Sequence, residues 1–498
     1  MSFEGKLRLN VLQESPLDQS PCQTEEPDEA ETLEHWVPSR YNVRATTDDG
    51  RLILWNSMSH KISVFKPEQS PYVLPLLKAK GFESRKQGLA GYLIDRGYLV
   101  RKGTNEYRQF LFRFGRQHYR SDRLELILMS SEDCNFRCRY CYEDFARGTM
   151  LPKVRQGVKE LVKQRIESLS SFNVSWFGGE PLYGWAAVEE LAPFFVELTD
   201  EHDVLYQSHM TTNGYLLTPD VADKLLSWKI NDFQITLDGM PESHDCNRPT
   251  RDGQGTFWTI VENLKAMSKR DDEFSVSLRI NFDKANYGGL EKFLELVKVE
   301  LGGDSRFLVN FHPVGRWGGA NDDKLEICGG NEKHTIAAEL RAAAHKHGLR
   351  FHTLKDINHI GSQVCYAARP YNFLIGASGK VMKCTVALDK DPRNVVGQLA
   401  EDGNLKIDGE YMSLWTVPSF QTDSQCQKCV VLPACQGISC PLPRLDETGR
   451  PCIPSRTRAK AQLVELLDYS GQGGRSRRVG APQAPASDAD QASAKAQS

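Results

Sequence analysis

Six apolar strand patterns alternate with six amphipathic helical patterns between residues 124 and 352 of this 498-residue chain. The repeats recur at roughly 35-residue spacing, which is enough for one strand and one helical crossover. This alternation predicts an α/β fold with a parallel sheet. The expected strands are residues 124–129, 173–176, 208–212, 233–237, 275–281 and 307–311. The expected helices are residues 154–169, 188–198, 221–228, 258–269, 290–301 and 333–347.

The composition is that of an ordinary globular protein, with 40% hydrophobic and 26% charged residues. A net charge of −3 does not indicate binding to nucleic acid or to an anionic membrane. The sequence has neither a signal peptide nor an apolar run of about 18 residues. We therefore expect a cytoplasmic protein. Its thirteen cysteines argue for metal ligands rather than disulfides, and ten of them fall in two groups.

Three cysteines stand together in the segment Cys134-Asn-Phe-Arg-Cys138-Arg-Tyr-Cys141, directly after the first predicted strand. Soft thiolates select iron–sulfur clusters or zinc. Because cluster iron usually takes four protein ligands, a triad leaves one iron open for chemistry. The alternative is half of a zinc knuckle, which needs a second cysteine couple, and none lies within roughly 100 residues.

This segment resembles the cluster loop of the radical S-adenosylmethionine (SAM) enzymes. The resemblance implies a 4Fe–4S cluster on Cys134, Cys138 and Cys141 whose open iron binds the methionine part of SAM. One electron then cleaves SAM to a 5′-deoxyadenosyl radical that takes a hydrogen atom from substrate. Tyr140 would lie near the adenine. The resemblance also makes the sheet a partial (β/α)6 TIM barrel, with functional residues at the carboxyl ends of its strands.

Further motifs follow the predicted strands in the order that the same family implies. Gly178-Gly179-Glu180-Pro181 resembles the GGEP motif that receives the amino group of SAM, although alone it is an ordinary turn. Arg279 is the expected partner of the SAM carboxylate, because a buried cation needs an anion. The alternative for it is an ion pair inside the barrel. The remaining candidates are Thr212, Asn213, Thr236 and Asp238 on the ribose side, Asn281 beside the carboxylate, and Val314 near the adenine.

Seven further cysteines follow the barrel and overfill a single zinc site. They are Cys365, Cys384, Cys426, Cys429, Cys435, Cys440 and Cys452. Four of them (Cys426, Cys429, Cys435 and Cys440) alone would make a zinc ribbon.

The set resembles the SPASM extension of radical SAM maturases, which implies two auxiliary clusters and thus three 4Fe–4S clusters in all. Cys426, Cys429, Cys435 and Cys452 would hold the distal cluster. Cys365, Cys384 and Cys440 would hold the nearer one. The gap before Cys440 has four residues where the family usually has three. No fourth cysteine within the motif is evident for the nearer cluster, and Cys328, outside the motif, is the remaining candidate.

The rest of the chain divides by composition. Residues 1–35 are expected to be a disordered lead-in, 121–355 the barrel, 356–470 the SPASM extension and 471–498 a disordered tail. Residues 36–120 read as a winged-helix-like domain with a strand at 52–55, a helix at 87–96 and an extended segment at 97–100. This domain resembles the RiPP recognition element, which implies capture of a precursor's leader peptide as an added strand. A purely structural cap is the alternative.

These features predict a radical SAM/SPASM maturase that installs a side-chain cross-link, thioether or carbon–carbon (cyclophane-like), in a ribosomally made precursor peptide. A flavodoxin or ferredoxin would supply electrons. In the rival sulfatase maturases, an acidic base follows the cysteine that corresponds to Cys384, and here Thr385 stands there. The base is therefore unassigned, with Asp283 and Glu143 as candidates. His312 and Arg316 are candidate substrate contacts. A non-catalytic leader-binding scaffold is the different-class alternative.

Overall fold

The structure is a computed structural model that describes residues 33–145, 147–351, 364–437, 440–445, 452 and 454–468. Most of the predicted lead-in and the whole predicted tail lie outside the described residues. The lead-in boundary at residue 35 is wrong, because Glu34 and His35 already belong to a strand and pair with Ser84 and Glu83. Glu34 also forms an ion pair with Arg101 at 2.8 Å.

The N-terminal unit (residues 34–118) contains two three-stranded antiparallel sheets and three helices. Its elements are β1 (Glu34–Pro38), β2 (Asn42–Thr46), β3 (Leu52–Asn56), β4 (Ile62–Phe65), α1 (Ser70–Lys78), β5 (Phe82–Ser84), α2 (Gly88–Asp95), β6 (Leu99–Arg101) and α3 (Glu106–His118). In one sheet β1 lies between β5 and β6, and in the other β3 lies between β2 and β4. The predicted strand at 52–55 and helix at 87–96 are confirmed. The winged-helix likeness stays a prediction.

Six parallel strands follow and pair with one another in chain order. They are β7 (Arg123–Ser131), β8 (Ser171–Gly178), β9 (Leu205–Thr212), β10 (Ile230–Thr236), β11 (Ser275–Phe282) and β12 (Phe307–Pro313). The helices between and after them are α4 (Pro152–Arg165), α5 (Trp185–Glu201), α6 (Pro219–Ser227), α7 (Pro241–Asn247), α8 (Phe257–Ser268), α9 (Leu290–Leu301) and α10 (Glu332–Lys346). The result is an α/β fold with a partial, barrel-like sheet. The predicted strands and helices are confirmed, and only the short α7 was missed.

Buried apolar side chains hold the helices on this sheet. Phe195 of α5 packs edge-on against Phe172 of β8, with the ring centroids 5.1 Å apart. Each fully buried side chain of this kind stabilises the fold by about 1.5–3 kcal/mol. Trp176, also buried in β8, donates its indole N–H to the Ser208 hydroxyl of β9 at 3.2 Å, so its polar atom is satisfied within the core. The carboxyl ends of the strands are thereby fixed side by side.

The cysteine-rich region (residues 364–468) continues the same sheet, which the sequence did not predict. β13 (Asn372–Ile375) pairs parallel to β7, and β14 (Lys380–Met382), β15 (Val395–Leu399) and β16 (Leu405–Ile407) add antiparallel to it. Asn372 and Arg369 both bind the Glu125 carboxylate, at 2.7 and 2.5 Å, which clamps β13 to β7. The remaining helices are α11 (Gly409–Thr416), α12 (Ser424–Gln427), α13 (Leu432–Cys435) and α14 (Pro454–Asp468).

The N-terminal unit docks on the cysteine-rich region rather than on the barrel helices. Leu463 and Leu466 of α14 share an apolar cluster with Val43, Ile53 and Trp55 of the β2–β3–β4 sheet. None of the described helices is long and apolar enough to cross a membrane.

His118 makes a polar contact at this junction that should give stability a pH dependence. Its ring N–H donates to the Thr416 carbonyl oxygen at 3.0 Å, and burial lowers the pKa of His118 to about 4. In the unfolded chain the pKa is about 6.5, so the unfolded state binds the proton first as pH falls. Stability should therefore rise as pH increases from about 4 to about 6.5 and be fully present above that window, a contribution of about 3 kcal/mol at most.

The measurement is denaturant unfolding at several pH values for wild type and His118→Gln. The variant should show a smaller stability change between about pH 4 and 6.5, whereas the exposed-site control His202→Gln should follow wild type. Identical pH profiles for wild type and His118→Gln would contradict the assignment.

Candidate active site

The first three cysteines lie in the cysteine loop (residues 134–141), immediately after the carboxyl end of β7. Cys134 is buried, and Cys138 and Cys141 are half-buried. Burial raises the pKa of all three thiols, and the neighbouring Cys138 adds to the rise at Cys134 and Cys141. Three thiols that repel one another as thiolates need a cationic centre to deprotonate them together, which is what a metal cluster provides.

A second peptide segment, residues 247–251, runs alongside the cysteine loop and holds its backbone. Arg139 N–H donates to the Asn247 carbonyl at 2.8 Å, and Arg137 N–H donates to the Pro249 carbonyl at 2.9 Å. Arg251 N–H donates back to the loop at 2.8 Å. The Arg251 guanidinium also binds both carboxylate oxygens of Asp133, next to Cys134, at 2.6 Å. The spacer residues between the thiols are therefore fixed by backbone pairing.

The glycine turn after β8 packs directly on the strand end that leads into the cysteine loop. Gly178 has a φ of +120°, and a Cβ there would lie 2.0 Å from the Ser131 carbonyl oxygen. A Cβ on Gly179 would lie 2.6 Å from the Asp133 carbonyl oxygen. Both positions require glycine because two backbones approach each other too closely for a side chain.

Glu180 joins this turn to the end of β9. Its carboxylate is 1% exposed and accepts hydrogen bonds from the Thr212 hydroxyl (2.7 Å), Asn213 N–H (2.7 Å) and Leu182 N–H (3.0 Å). Burial raises the pKa of Glu180, and these hydrogen bonds oppose the rise. The Asn213 amide nitrogen in turn lies 3.9 Å from the Cys134 sulfur. The candidates Gly178–Pro181, Thr212 and Asn213 are therefore brought together beside Cys134.

The Tyr140 hydroxyl is the centre of a buried polar network. It donates to the Asp238 carboxylate, and it accepts from the Arg248 guanidinium at 2.8 Å and the Asn281 amide at 3.0 Å. Asp238 also accepts from the backbone N–H of Asn281 at 2.9 Å. Burial raises the pKa of Asp238, which the Arg248 charge opposes. This network ties the cysteine loop to the ends of β10 and β11.

Arg248 was missed by the sequence reasoning. It is buried at the end of α7, the helix that was also missed, and its charge acts on all three cysteines of the loop. Its Nε–H has no hydrogen-bond partner among the described residues. In the sequence, Arg248 follows Asp238 after one short helix, and this spacing alone does not predict that the arginine is buried.

Arg279 lies at the mouth of the barrel. Among the described residues its one hydrogen-bond partner is the Asn281 side-chain oxygen, which accepts from its Nε–H at 2.8 Å. Within the described residues no acidic side chain forms an ion pair with it, so the predicted alternative of a barrel ion pair is not found. Burial lowers the pKa of Arg279. A guanidinium with unused donors in a buried position fits a carboxylate ligand.

The other candidates occupy the same strand ends. Thr236 ends β10 and is buried, as is Val314, whose N–H donates to the Phe282 carbonyl at 2.8 Å. Asp283 caps a turn by accepting from Ala285 N–H and Asn286 N–H, at 2.9 and 3.0 Å. Burial, followed by the charges of Glu132 and Asp144, raises the pKa of Glu143 to about 8.

Of the two predicted substrate contacts, His312 also lies beside Arg279. Its Nδ1 is buried and has no partner among the described residues. Burial, with the charge of Arg279, lowers the pKa of His312 to about 3. Arg316 instead donates to the backbone carbonyls of Asp322 and Leu325. His312 is therefore the better placed of the two for contact with a ligand.

Five of the seven later cysteines fall into two groups by the charge interactions between their thiols. Charge on Cys365 interacts with Cys384 and Cys440, whereas Cys426 interacts with Cys435. The charges of Cys435, Cys440 and Cys426 act on Arg444, which therefore interacts with both groups. Cys440 and Cys452 are exposed. Cys328 is buried in the barrel core, where its charged neighbours are Glu332, Asp283 and Lys284 rather than these thiols.

The donor chemistry of both regions fits iron–sulfur clusters. The candidate ligands are all thiols, which are the ligands that such clusters take. Within the described ranges, no three His, Cys, Asp or Glu side chains gather as ligands of a single metal ion.

Part of this chain is similar in sequence to known radical SAM proteins. Residues 128–297 match the Radical SAM superfamily. The chain is 21% identical over 216 residues to the radical SAM cyclopropyl synthase TigE of Paramaledivibacter caminithermalis, a match that covers 39% of this chain and 44% of TigE. It is 26% identical over 318 residues to the mycofactocin maturase MftC of Mycolicibacterium smegmatis, covering 61% of this chain and 74% of MftC. The chain spans about half the length of several curated relatives that it matches.

Among solved structures, the fold is similar to that of anSMEcpe with bound AdoMet and the Kp18Cys peptide. The TM-score is 0.51 at 19% identity, and the match covers 70% of this chain and 98% of that chain. The likeness supports the fold that the strand order describes.

The Glu180 contacts predict the effect of a conservative substitution. Glu180→Gln places an amide N–H₂ where one carboxylate oxygen now accepts, so a donor faces either Asn213 N–H or the Thr212 hydroxyl. We expect a loss of about 1–3 kcal/mol in the free energy of unfolding and weaker SAM binding, measured by denaturant titration and isothermal titration calorimetry. Glu262→Gln on the exposed face of α8 is the control, and equal stability of both variants would contradict the described geometry.

Proposed function

Because residues 128–297 carry a radical SAM domain, we propose that this protein is a radical SAM oxidoreductase that modifies a ribosomally made precursor peptide. The modification we propose is an oxidative side-chain cross-link, either a thioether or a carbon–carbon bond. The observation that carries the proposal is the convergence, at one mouth of the barrel, of the cysteine loop, the Gly178–Gly179–Glu180 turn and an Arg279 that forms no ion pair with the described residues.

We assign the cofactor contacts from these positions. Cys134, Cys138 and Cys141 would hold the cluster, and Arg279 with Asn281 would bind the SAM carboxylate. The Gly178–Pro181 turn would receive the amino group. Thr212, Asn213, Thr236 and Asp238 would lie on the ribose side, and Tyr140 and Val314 near the adenine. When bound, the cluster and SAM supply the one-electron chemistry that converts SAM to 5′-deoxyadenosine and leaves a substrate radical.

The protein's part is to position and enclose these groups. The buried Glu180 holds the amino-binding turn against the cysteine loop through Thr212 and Asn213. The Tyr140–Asp238–Arg248 network fixes the adenine side in the same way. Because the Glu180 and Asp238 carboxylates already accept hydrogen bonds within the protein, the strand ends that carry them are preorganised before a ligand binds.

The cysteine-rich region would hold two auxiliary clusters, one on Cys365, Cys384 and Cys440 and one on Cys426, Cys429, Cys435 and Cys452. The interactions of Cys365 with Cys384 and Cys440 support the first grouping, and that of Cys426 with Cys435 supports the second. Such clusters would give the surplus electron of a cross-linking reaction an exit. A flavodoxin- or ferredoxin-like protein in the cytoplasm would supply the electrons for SAM cleavage.

The N-terminal unit is proposed to bind the leader of the precursor. Among the described strands, β4 pairs with β3 alone, so an extended peptide can add to its other backbone edge by hydrogen bonding. The opposite edge strand, β2, packs against α14. The domain limits of 36–120, 121–355 and 356–470 are proposed on the same basis, with the first strand extending to Glu34.

Two features bear on the chemistry after hydrogen abstraction. The Thr385 hydroxyl is hydrogen-bonded to the Tyr366 hydroxyl at 2.7 Å and supplies no carboxylate base at the position that sulfatase maturation would use. Of the two carboxylates proposed as proton acceptors, Asp283 is occupied as a turn cap. Glu143, beside the cysteine loop, accepts no hydrogen bond from the described residues. We therefore favour Glu143.

The first test is SAM cleavage. Anaerobically reconstituted protein with SAM and dithionite should form 5′-deoxyadenosine, measured by liquid chromatography. Cys134→Ala should abolish product formation, because it removes a ligand from the triad. Cys246→Ala changes an exposed cysteine outside both groups and should retain wild-type yield. Absence of product from the iron-loaded wild type, or full product from Cys134→Ala, would overturn the proposal.

The second test is the mass of a co-expressed precursor peptide encoded beside this protein. A cross-link removes two hydrogen atoms without creating an aldehyde, so mass spectrometry should show that loss and no reaction with a hydrazide. A hydrazide-reactive product would instead indicate sulfatase-type oxidation of Cys or Ser. An unchanged mass, together with retained leader binding, would indicate a non-catalytic scaffold.

A further inference from the structure

Two hydrogen-bond donors in the N-terminal unit are buried and unpaired. Tyr41 and Trp55 are 0% and 1% exposed. Neither the Tyr41 hydroxyl nor the Trp55 indole N–H has a hydrogen-bond partner among the residues that the structure describes. Buried polar groups are normally paired because an unpaired donor loses its hydration without compensation. Two such donors in one small unit therefore point to an acceptor that the described residues do not supply.

Both donors belong to apolar clusters against which one cysteine segment (residues 426–435) packs. Tyr41, in the connection between β1 and β2, belongs to an apolar cluster against which Cys426 and Cys429 pack. Trp55, on β3, belongs to a second cluster against which Cys429 and Cys435 pack. Cys429 thus touches both clusters, and its charge also acts on Tyr41.

Neighbouring residues of the N-terminal unit already use the carbonyl oxygens of this segment. The Arg40 guanidinium donates to the Gln427 carbonyl at 2.9 Å, and the Ser57 hydroxyl donates to the Val430 carbonyl at 2.5 Å. These two hydrogen bonds hold the segment to the N-terminal unit at residues before and after Cys429 in the chain. Among the described groups packed against the clusters of Tyr41 and Trp55, the candidate acceptors for both donors are the sulfur atoms of this segment.

A neutral thiol is a weak acceptor, whereas the thiolate and sulfide sulfurs of an iron–sulfur cluster are anionic and accept readily. We infer that Tyr41 and Trp55 are positioning residues that donate hydrogen bonds to sulfur atoms of the distal cluster. The inference rests on the proposed function only in placing that cluster on Cys426, Cys429, Cys435 and Cys452. It assigns to the N-terminal unit a role in cluster tuning besides leader binding.

The physical consequence is a link between the N-terminal unit and the redox properties of the distal cluster. Hydrogen bonds to cluster sulfurs stabilise the more negative, reduced state and so raise the reduction potential. Removal of one donor should shift the potential to more negative values. The same contacts should make cluster loading and docking of the N-terminal unit depend on each other.

The test is a potentiometric titration of the reconstituted full chain followed by electron paramagnetic resonance. The distal component is identified as the signal lost in Cys426→Ala. Tyr41→Phe keeps the ring and removes only the hydroxyl, so the distal midpoint potential should become more negative while the other components stay unchanged. The matched control is Tyr98→Phe. Tyr98 is equally buried in the same unit, but its hydroxyl donates to the Leu54 carbonyl (3.0 Å) and contacts the Ser63 hydroxyl (2.9 Å) in a cluster without cysteines.

A measurement on the wild type keeps the inference testable if Tyr41→Phe loads poorly. Electron–nuclear double resonance before and after transfer to ²H₂O should detect exchangeable protons coupled to the distal cluster. Absence of such protons, or equal potentials in wild type and Tyr41→Phe, would overturn the inference. Formation of 5′-deoxyadenosine by the same preparations reports separately on the proposed function, so the two failures are distinguishable.

Discussion

Backbone pairing between the cysteine loop and residues 247–251 is the constraint on which the candidate site depends. A loop that carries three thiols gains little from hydrophobic burial, and its thiolates repel one another. The hydrogen bonds of Arg137, Arg139 and Arg251 give it a fixed backbone without using the sulfur atoms. The partner segment includes the end of α7 and positions Arg248, so one connection supplies both the scaffold of the loop and a buried cation whose charge acts on its three thiols.

The polar networks around this loop share one design. Glu180 and Asp238 are both buried, and each accepts hydrogen bonds from the end of the next strand in the sheet. An uncompensated buried carboxylate would be strongly destabilising. Each carboxylate therefore holds neighbouring strand ends in register as well as lining the site. The arrangement explains why the residues that follow β8, β9, β10 and β11 act together.

Much of the barrel could be predicted from the sequence, because helical and strand periodicities are local properties. The six strands and their helices were identified to within a few residues, and the cysteine loop and Glu180 turn lay at the expected strand ends. α7 was missed because seven residues, His244 and Asn247 among the buried ones, show no apolar stripe.

The sequence reasoning also missed the continuation of the sheet into β13–β16 and the role of Arg248. Both depend on contacts between distant residues, which no local pattern encodes. The β13 strand has only four residues, and its pairing with β7 is stabilised by Glu125, a charged residue that a strand pattern discounts.

That pairing between β7 and β13 also bears on how the chain folds. Asn372 and Glu125 are 247 residues apart, so the first barrel strand keeps an open edge until about three quarters of the 498-residue chain has been synthesised. Contacts of such long range slow folding, and an exposed parallel edge invites aggregation in the meantime. Production of this protein should therefore benefit from low temperature, which weakens the hydrophobic association of such unfinished chains.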